Sequence, residues 1–213
     1  MDIQVWSDVI CPWCYLGKHR LEMALEGFDR DVTVTFRAFQ LDPTLVRVPA
    51  PVKESLAAKF GGTDRAERMF AHVTAIAGGE GLTLDFDRAI AANTFDAHRL
   101  VAWAAGQGRQ LDMIGALQRA HFTDGIDVGS RAALAAVAGS IGLDAPAASA
   151  YLESGAGADS VNADLAEARE LGIGSVPTFV IDGRYAVQGA QEPATLRAAL
   201  KEIARRESVD TGR

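Results

Sequence analysis

The sequence predicts a mixed α/β (α+β) fold in which a small strand–helix domain is divided by an inserted all-helical domain, and three observations carry that prediction. Strand patterning is confined to the two ends of the chain, while the stretch from about Lys53 to Gly172 is alanine-rich with helical periodicity. Proline and glycine mark the joins, at Pro43, Pro49 and Pro51 on one side and Gly172 on the other. The only two cysteines in 213 residues stand together as Cys11-Pro12-Trp13-Cys14, between the first strand and the first helix.

Element by element, Ile3-Gln4-Val5-Trp6 alternates apolar and polar residues, as a half-buried strand does. A helix follows over Tyr15 to Leu25, and Val32 to Phe39 is β-branched and aromatic, which predicts a second strand. In the middle, three apolar stripes recur at helical spacing: Met69, Val73 and Ile76; Leu111, Ile114, Leu117 and His121; Leu134, Val137 and Ile141. Glycines at Gly61-Gly62, Gly78-Gly79, Gly142 and Gly155 punctuate these helices. Strand signals resume at Thr178 to Ile181, turn at Asp182-Gly183, and return through Tyr185-Ala186-Val187; Asp-Gly between two apolar runs is a strong hairpin signal. A last amphipathic helix begins at Pro193, with Leu196, Leu200 and Ile203 on one face. The chain thus divides into residues 1–50 with 173–207, an insertion over 52–172, and a tail over 208–213 that should fray.

Composition narrows the partners. With 48% hydrophobic and 23% charged residues and a net charge of −7, the chain is ordinary for a water-soluble protein, and basic residues cluster only at Arg205-Arg206. Nucleic acid is not an expected partner. No stretch approaches the roughly 18 apolar residues of a membrane span, and the first residues lack a basic-then-apolar leader, so a cytoplasmic location is expected. Cysteine pairs in a reducing cytosol are catalytic, redox-sensing or metal-binding rather than structural. Zinc wants about four ligands; there is no second cysteine pair, and His19, His72, His98 and His121 lack metal-ligand spacing, so no metal is expected.

The dithiol reads as a redox site. A thiol attacks as its thiolate, and a helix N-terminus offers unpaired N–H groups that stabilise an anion, which makes Cys11 the expected nucleophile. Cys14, one turn on, can return to the same sulfur and expel a partner from a mixed disulfide. Pro12 suits the first helical position, where its missing N–H costs nothing. Trp13 should form an apolar surface for hydrophobic peptides or aromatic rings. His19 reads as a surface or packing residue. Asn93 is a candidate N-cap for a helix through Leu100 and Trp103, with His98 on the same helix. Gly189-Ala190-Gln191, just before a helix start, could hold an anionic or amide group. For Val176-Pro177 two readings stand: a proline opening an edge strand, or a cis peptide that turns the backbone of Val176 toward the dithiol.

Taken together, Cys11 to Lys18, Phe39-Gln40-Leu41-Asp42-Pro43, Asn93 to Leu100, Ser175 to Phe179 and Gly189-Ala190-Gln191 resemble the DsbA-like branch of the thioredoxin superfamily, and within it the FrnE-like proteins. The resemblance spans essentially the whole chain. It implies a thioredoxin-like fold with an inserted helical domain, and a cis-proline loop at Val176 and Pro177 that faces the cysteines and binds substrate backbone. It also implies a cleft lined by the helix bearing Asn93 and His98, with Gln191 nearby. One departure stands out: many relatives carry a buried carboxylate six residues before the nucleophile, where this chain has Val5.

The expected function is thus that of a protein-disulfide oxidoreductase or isomerase of DsbA type, acting on protein or peptide disulfides or on a redox partner. One alternative is a thiol-cofactor-dependent isomerase or transferase acting on a small aromatic, polyketide-like substrate. Relatives of that kind carry serine at the nucleophile and a Gly-Ser-Asp-Arg-type patch, against Cys11 and Gly189-Ala190-Gln191 here. Another alternative is a redox-silent binding module in a biosynthetic pathway, which would have no need of two cysteines. No cofactor is expected beyond the redox-active disulfide and a low-molecular-weight thiol. Seventeen arginines against four lysines point to a GC-rich genome, where that thiol need not be glutathione. Direction of exchange and oligomeric state are left open by the sequence.

Overall fold

A computed structural model describes residues 1–44, 48–59 and 61–210. The chain runs β1 (Asp2–Ser7), α1 (Pro12–Leu25), β2 (Thr33–Ala38), α2 (Val52–Lys59), α3 (Thr63–Gly79), α4 (Phe95–Ala105), α5 (Gln110–Phe122), α6 (Arg131–Ser140), α7 (Ala145–Glu153), α8 (Ala158–Glu170), β3 (Thr178–Ile181), β4 (Tyr185–Gln188) and α9 (Pro193–Asp210). The strands form one sheet in the order β2-β1-β3-β4, with β1 parallel to β2 and antiparallel to β3. Parallel neighbours need a crossover, which α1 supplies. β3 and β4 form the hairpin signalled by Asp182-Gly183, both of which have positive φ, 50° and 64°. Asp182 also accepts the Asp2 backbone N–H at 2.6 Å, tying the turn to the start of β1.

The edge strand β2 is covered rather than left open. The side-chain amide of Gln110 pairs with Phe36 in both directions at 3.0 Å, and Asp164 of α8 accepts the Ala38 N–H at 2.9 Å. These contacts occupy backbone groups on which another strand could otherwise add. They also pin α5 and α8 of the insertion to the sheet.

The apolar core does not respect the division of the sequence into two parts. One buried cluster joins Ile3, Val5, Phe36 and Phe179 of the sheet to Leu100, Ile114, Leu117 and Leu134 of the inserted helices. A second cluster links Tyr15 of α1 to Phe70, Phe86 and Phe122, the rings meeting at centroid distances of 4.4 to 6.1 Å. This second cluster seats α3 against the helix that bears the dithiol.

Helix α1 begins at Pro12, the residue suited to the first helical position, and Cys14 and Tyr15 donate their N–H groups to the Cys11 carbonyl at 3.0 and 3.1 Å. Two details differ from the reading by pattern. Leu111 is exposed while Ile114, Leu117 and His121 are buried; it sits in the first turn of α5 beside the polar residues Arg109 and Asp112. Helix α9 continues through Asp210, so three residues of the segment read as a tail are helical, and residues 211–213 lie outside the described residues. Among the described residues no helix is long and apolar enough to cross a membrane.

Candidate active site

Cys11 is itself the N-cap of α1, with extended backbone (φ −90°, ψ 115°) and Pro12 following at the first helical position. Its N–H donates to the Asp8 carbonyl at 3.1 Å, closing the turn out of β1. The first turn has neither an acidic residue nor a capping side-chain oxygen. The sulfur therefore occupies the place from which a cap would meet the orphan N–H groups, at the end of the helix that attracts negative charge. Both cysteines are free thiols and buried, Cys11 4% and Cys14 1% exposed. Burial above all, and then the neighbouring Cys11, push the Cys14 thiol well up from its ordinary range, while Ser7 and the Asp8 backbone act in the opposite direction.

Across from the dithiol, the Val176–Pro177 peptide is cis, and Cys11 Sγ lies 3.9 Å from the Val176 carbonyl oxygen. The loop is held from three sides. Thr178 Oγ1 donates to the Ser175 carbonyl at 2.7 Å, the Gly189 N–H donates to the Pro177 carbonyl at 2.8 Å, and α1 abuts Pro177 at Gly17. A Cβ added at Gly17 would fall 2.7 Å from Pro177 Cγ. In a free helix, replacing glycine with alanine gains about 1 kcal/mol. Here the clash outweighs that gain, and Gly17→Ala is expected to lose ~1–3 kcal/mol and to slow exchange at Cys11, as overpacking does. Urea unfolding read beside the thiol-exchange rate checks this; a variant at least as stable as the parent would refute it.

Trp13 is half-buried, its ring 6.1 Å from that of His72 on α3, and it packs on the second aromatic cluster. Asn93 is occupied by the protein. Its Oδ1 accepts the Phe95 N–H at 3.0 Å, and its Nδ2 donates to the Pro43 and Thr44 carbonyls at 3.0 and 3.1 Å. The N-cap of α4 is Thr94 rather than Asn93, since the Thr94 carbonyl accepts the His98 N–H at 2.9 Å; Thr94 makes no side-chain cap bond, and Asn93, one residue earlier, supplies the side-chain bond to Phe95. Gln191 is exposed, and its amide donates to the Gln188 carbonyl at 2.8 Å. Its neighbour Ala190 is fixed by Arg20, whose Nη1 donates to the Ala190 carbonyl at 2.6 Å while the same guanidinium pairs with Glu80 and Glu192. The segment 189–191 thus lies beside Pro177, whereas Asn93 serves the 40–44 loop.

Beneath the dithiol lies a set of buried polar groups that sequence patterning did not assemble. Asp8 is fully buried; one carboxylate oxygen accepts the Leu41 N–H at 2.8 Å, and the other lies 3.4 Å from His98 Nε2 without a hydrogen bond. His98 instead directs Nε2 to the Phe39 carbonyl at 2.9 Å. Ser7 Oγ and both ring nitrogens of His121 are buried without a protein partner. The polar pair Ser7-Asp8 interrupting an apolar run just before the cysteines was the available signal for this cluster. Among the described residues, no three His, Cys, Asp or Glu side chains converge as a metal site would.

Burial holds the His121 imidazole down at about 4, the charge of Asp8 acting weakly the other way. Since a free histidine titrates near 6.5, the unfolded chain takes up this proton first as the pH falls, and the folded protein does so only near 4. Stability should therefore be present above pH 6.5 and lost by up to roughly 3 kcal/mol on acidification to about pH 4. Urea midpoints across this window should fall more steeply for the parent than for His121→Leu; parallel slopes would refute the assignment.

The family model described as a DSBA-like thioredoxin domain matches residues 2–201. The structure is similar to that of a probable DsbA oxidoreductase from Streptomyces coelicolor, at 38% identity and a TM-score of 0.88, covering 95% of this chain and 89% of that one. It is also similar in fold to a 2-hydroxychromene-2-carboxylate isomerase (16% identity, TM-score 0.73, 98% of each chain). The cytosolic disulfide reductase DsbM from Pseudomonas aeruginosa, solved with GSH, shares the fold at 20% identity and a TM-score of 0.67, covering 96% of this chain and 100% of that one. Among curated proteins, the uncharacterized YwbO of Bacillus subtilis is 41% identical over 44 residues, which is 21% of each chain.

Proposed function

Because the chain belongs to the DSBA-like thioredoxin domain family, we propose that it is a thiol-disulfide oxidoreductase in which Cys11 attacks a substrate disulfide and Cys14 resolves the resulting mixed disulfide. The observation that carries this reading is the placement of the Cys11 sulfur at the uncapped N-terminus of α1, 3.9 Å from the Val176 carbonyl of the loop opposite. In that position a nucleophile and a backbone docking edge meet at one point. An extended peptide laid along Val176 would find main-chain partners, a mode tolerant of side-chain sequence. Trp13 offers such a segment an apolar contact beside the sulfur.

In the reductive direction, the Cys11 thiolate attacks one substrate sulfur and releases the other as a thiolate. Cys14 then attacks Cys11, releasing the substrate thiol and closing the Cys11–Cys14 disulfide. The reverse sequence donates that disulfide. Protein or peptide disulfides in the cytoplasm are the substrates this reading favours, with a low-molecular-weight thiol or a protein partner resetting the pair.

A redox titration of the two thiols, run beside insulin reduction and refolding of a scrambled substrate, tests the reading. A single reversible two-electron couple with catalysed exchange is expected. Absence of that couple, or turnover that persists when Cys11 is alkylated, would overturn it.

A further inference from the structure

Helices α1 and α3 lie side by side and run in the same sense: Trp13 meets His72, and farther along both helices Arg20 pairs with Glu80, the cap at the end of α3. Helix α1 starts at Pro12, level with His72, whereas α3 starts at Thr63, so the first turns of α3 extend past the dithiol end of α1. At 1.5 Å per residue, Arg65 stands about 10 Å beyond His72 along the helix axis. The same end of α3 is tied to the dithiol from the other side. Lys59, which closes α2 just ahead of α3, pairs with Asp42, and the neighbouring Leu41 N–H is held at 2.8 Å by Asp8, in the turn before Cys11. The start of α3 thus spans from the 41–42 loop to Trp13, beside the nucleophile.

The flank of α3 that meets Trp13 is apolar and cationic. Arg65, Arg68, Met69 and His72 fall within about 100° of one another around the axis at 3.6 residues per turn. Arg65, Arg68 and His72 are exposed, Met69 and Trp13 pack half-buried on the second aromatic cluster, and Leu41 is 51% exposed. Neither arginine belongs to an ion pair among the described residues, although Asp64 lies one turn before Arg68. Glu67 lies on the opposite side of the helix, along a groove it shares with Lys53 and Asp87. In a chain of net charge −7, two unpaired guanidinium groups beside the nucleophile are a local exception. We infer that this flank selects the substrate. Cys11 acts preferentially on peptide disulfides that carry an apolar side chain beside the cysteine, seated on Trp13, Met69 and Leu41, and an acidic side chain a few residues away, paired with Arg65 or Arg68. The inference rests on the oxidoreductase reading and adds a substrate class to it. The overall charge of the chain repels an acidic peptide, so a preference for one can arise only from local complementarity.

The test uses three short peptides, each with a tryptophan beside its single cysteine and differing only in whether the flanking positions are glutamate, glutamine or lysine. Each is activated as a mixed disulfide with an uncharged aryl thiol whose thiolate is coloured. Cys11 attacks the peptide sulfur, the peptide–aryl S–S bond breaks, and the aryl thiolate leaves with the bonding electrons, so colour reports the rate. Each rate with the full chain is divided by that of a small uncharged thiol on the same peptide. At about 0.1 M salt, where exposed charges beyond ~10 Å are screened, the glutamate peptide is expected to react ~3–10-fold faster than the glutamine peptide, and the lysine peptide slower than both. At about 1 M salt the glutamate-to-glutamine ratio should fall toward unity. Arg65→Gln combined with Arg68→Gln should remove the preference, Arg65→Glu combined with Arg68→Glu should invert it, and Glu67→Gln on the opposite side should leave the ratio as in the parent. A parent that reacts no faster with the glutamate peptide, or a parental ratio retained in either arginine double variant, would overturn the inference. Absence of aryl thiolate release from all three peptides, or release that persists after Cys11 is alkylated, would overturn the oxidoreductase reading instead.

Discussion

Cys14→Ser is expected to trap the protein as a stoichiometric mixed disulfide through Cys11, and Cys11→Ser to abolish both adduct and turnover. The argument is kinetic. With Cys14 present, the second displacement is intramolecular from one helical turn away, and well-oriented intramolecular reactions reach effective molarities of ~10⁵ M or more. An external thiol at about millimolar concentration cannot match even a small fraction of that. Removing the Cys14 sulfur should therefore lengthen the life of the adduct by orders of magnitude. Serine fits the buried position, so the fold should survive. Intact mass after exposure to a peptide disulfide reads the result: parent unmodified, Cys14→Ser heavier by one peptide, Cys11→Ser unmodified. An adduct on Cys11→Ser, or turnover without Cys11, would reverse the assignment of nucleophile.

The largest effect on stability is expected at Arg99, which is 2% exposed on α4. Its guanidinium donates to the carbonyls of Tyr151, Leu152 and Ala156 at 3.0, 3.1 and 2.8 Å and to Asp96 at 2.5 Å, and it lies over the Tyr151 ring. Those carbonyls belong to the end of α7 and the turn after it, where acceptors have no partner within the helix and a cation is favoured. Asp96 also receives Arg131 from the start of α6. Arg99→Ala would leave the buried Leu152 carbonyl without its donor and remove one of the two guanidinium partners of Asp96, while Tyr151 keeps the Ser154 hydroxyl, a loss of about 3 kcal/mol. For a chain of this size that is a fall in melting temperature of roughly 10 °C. Arg99→Lys should recover only part, since an ammonium cannot span the same fork of acceptors. A drop below ~1 kcal/mol for Arg99→Ala would show that the three carbonyls find other partners.

Much of this molecule is legible from local pattern. The alternation in Ile3 to Trp6 and the β-branched and aromatic run Thr178 to Ile181 place two strands that pair antiparallel, and Asp182-Gly183 places the hairpin that returns from the second. The dithiol and its helix are equally local: strand, turn, cysteine and N1 proline are consecutive. Elsewhere side-chain chemistry outweighed pattern. Leu111 sits on the apolar stripe of α5 yet remains exposed in its first turn, and Asn93, a good capping residue by type, makes its turn one position early. Periodicity reports a residue's face, whereas exposure depends on what stands opposite it.

The sequence by itself determined the sheet's strands, the helical character of the insertion and the position of the two sulfurs at a helix start, because each depends on contacts within a few residues. Tertiary structure alone decided what surrounds those sulfurs. The Val176 carbonyl reaches Cys11 across 165 residues of chain, and Gly17 proves to be the clearance that lets Pro177 approach. Ser7, Asp8, His98 and His121, drawn from three separate elements, become one buried polar group only because the sheet and the inserted helices share a single core. Burial and long-range approach are sums over the whole chain, and no short segment carries them.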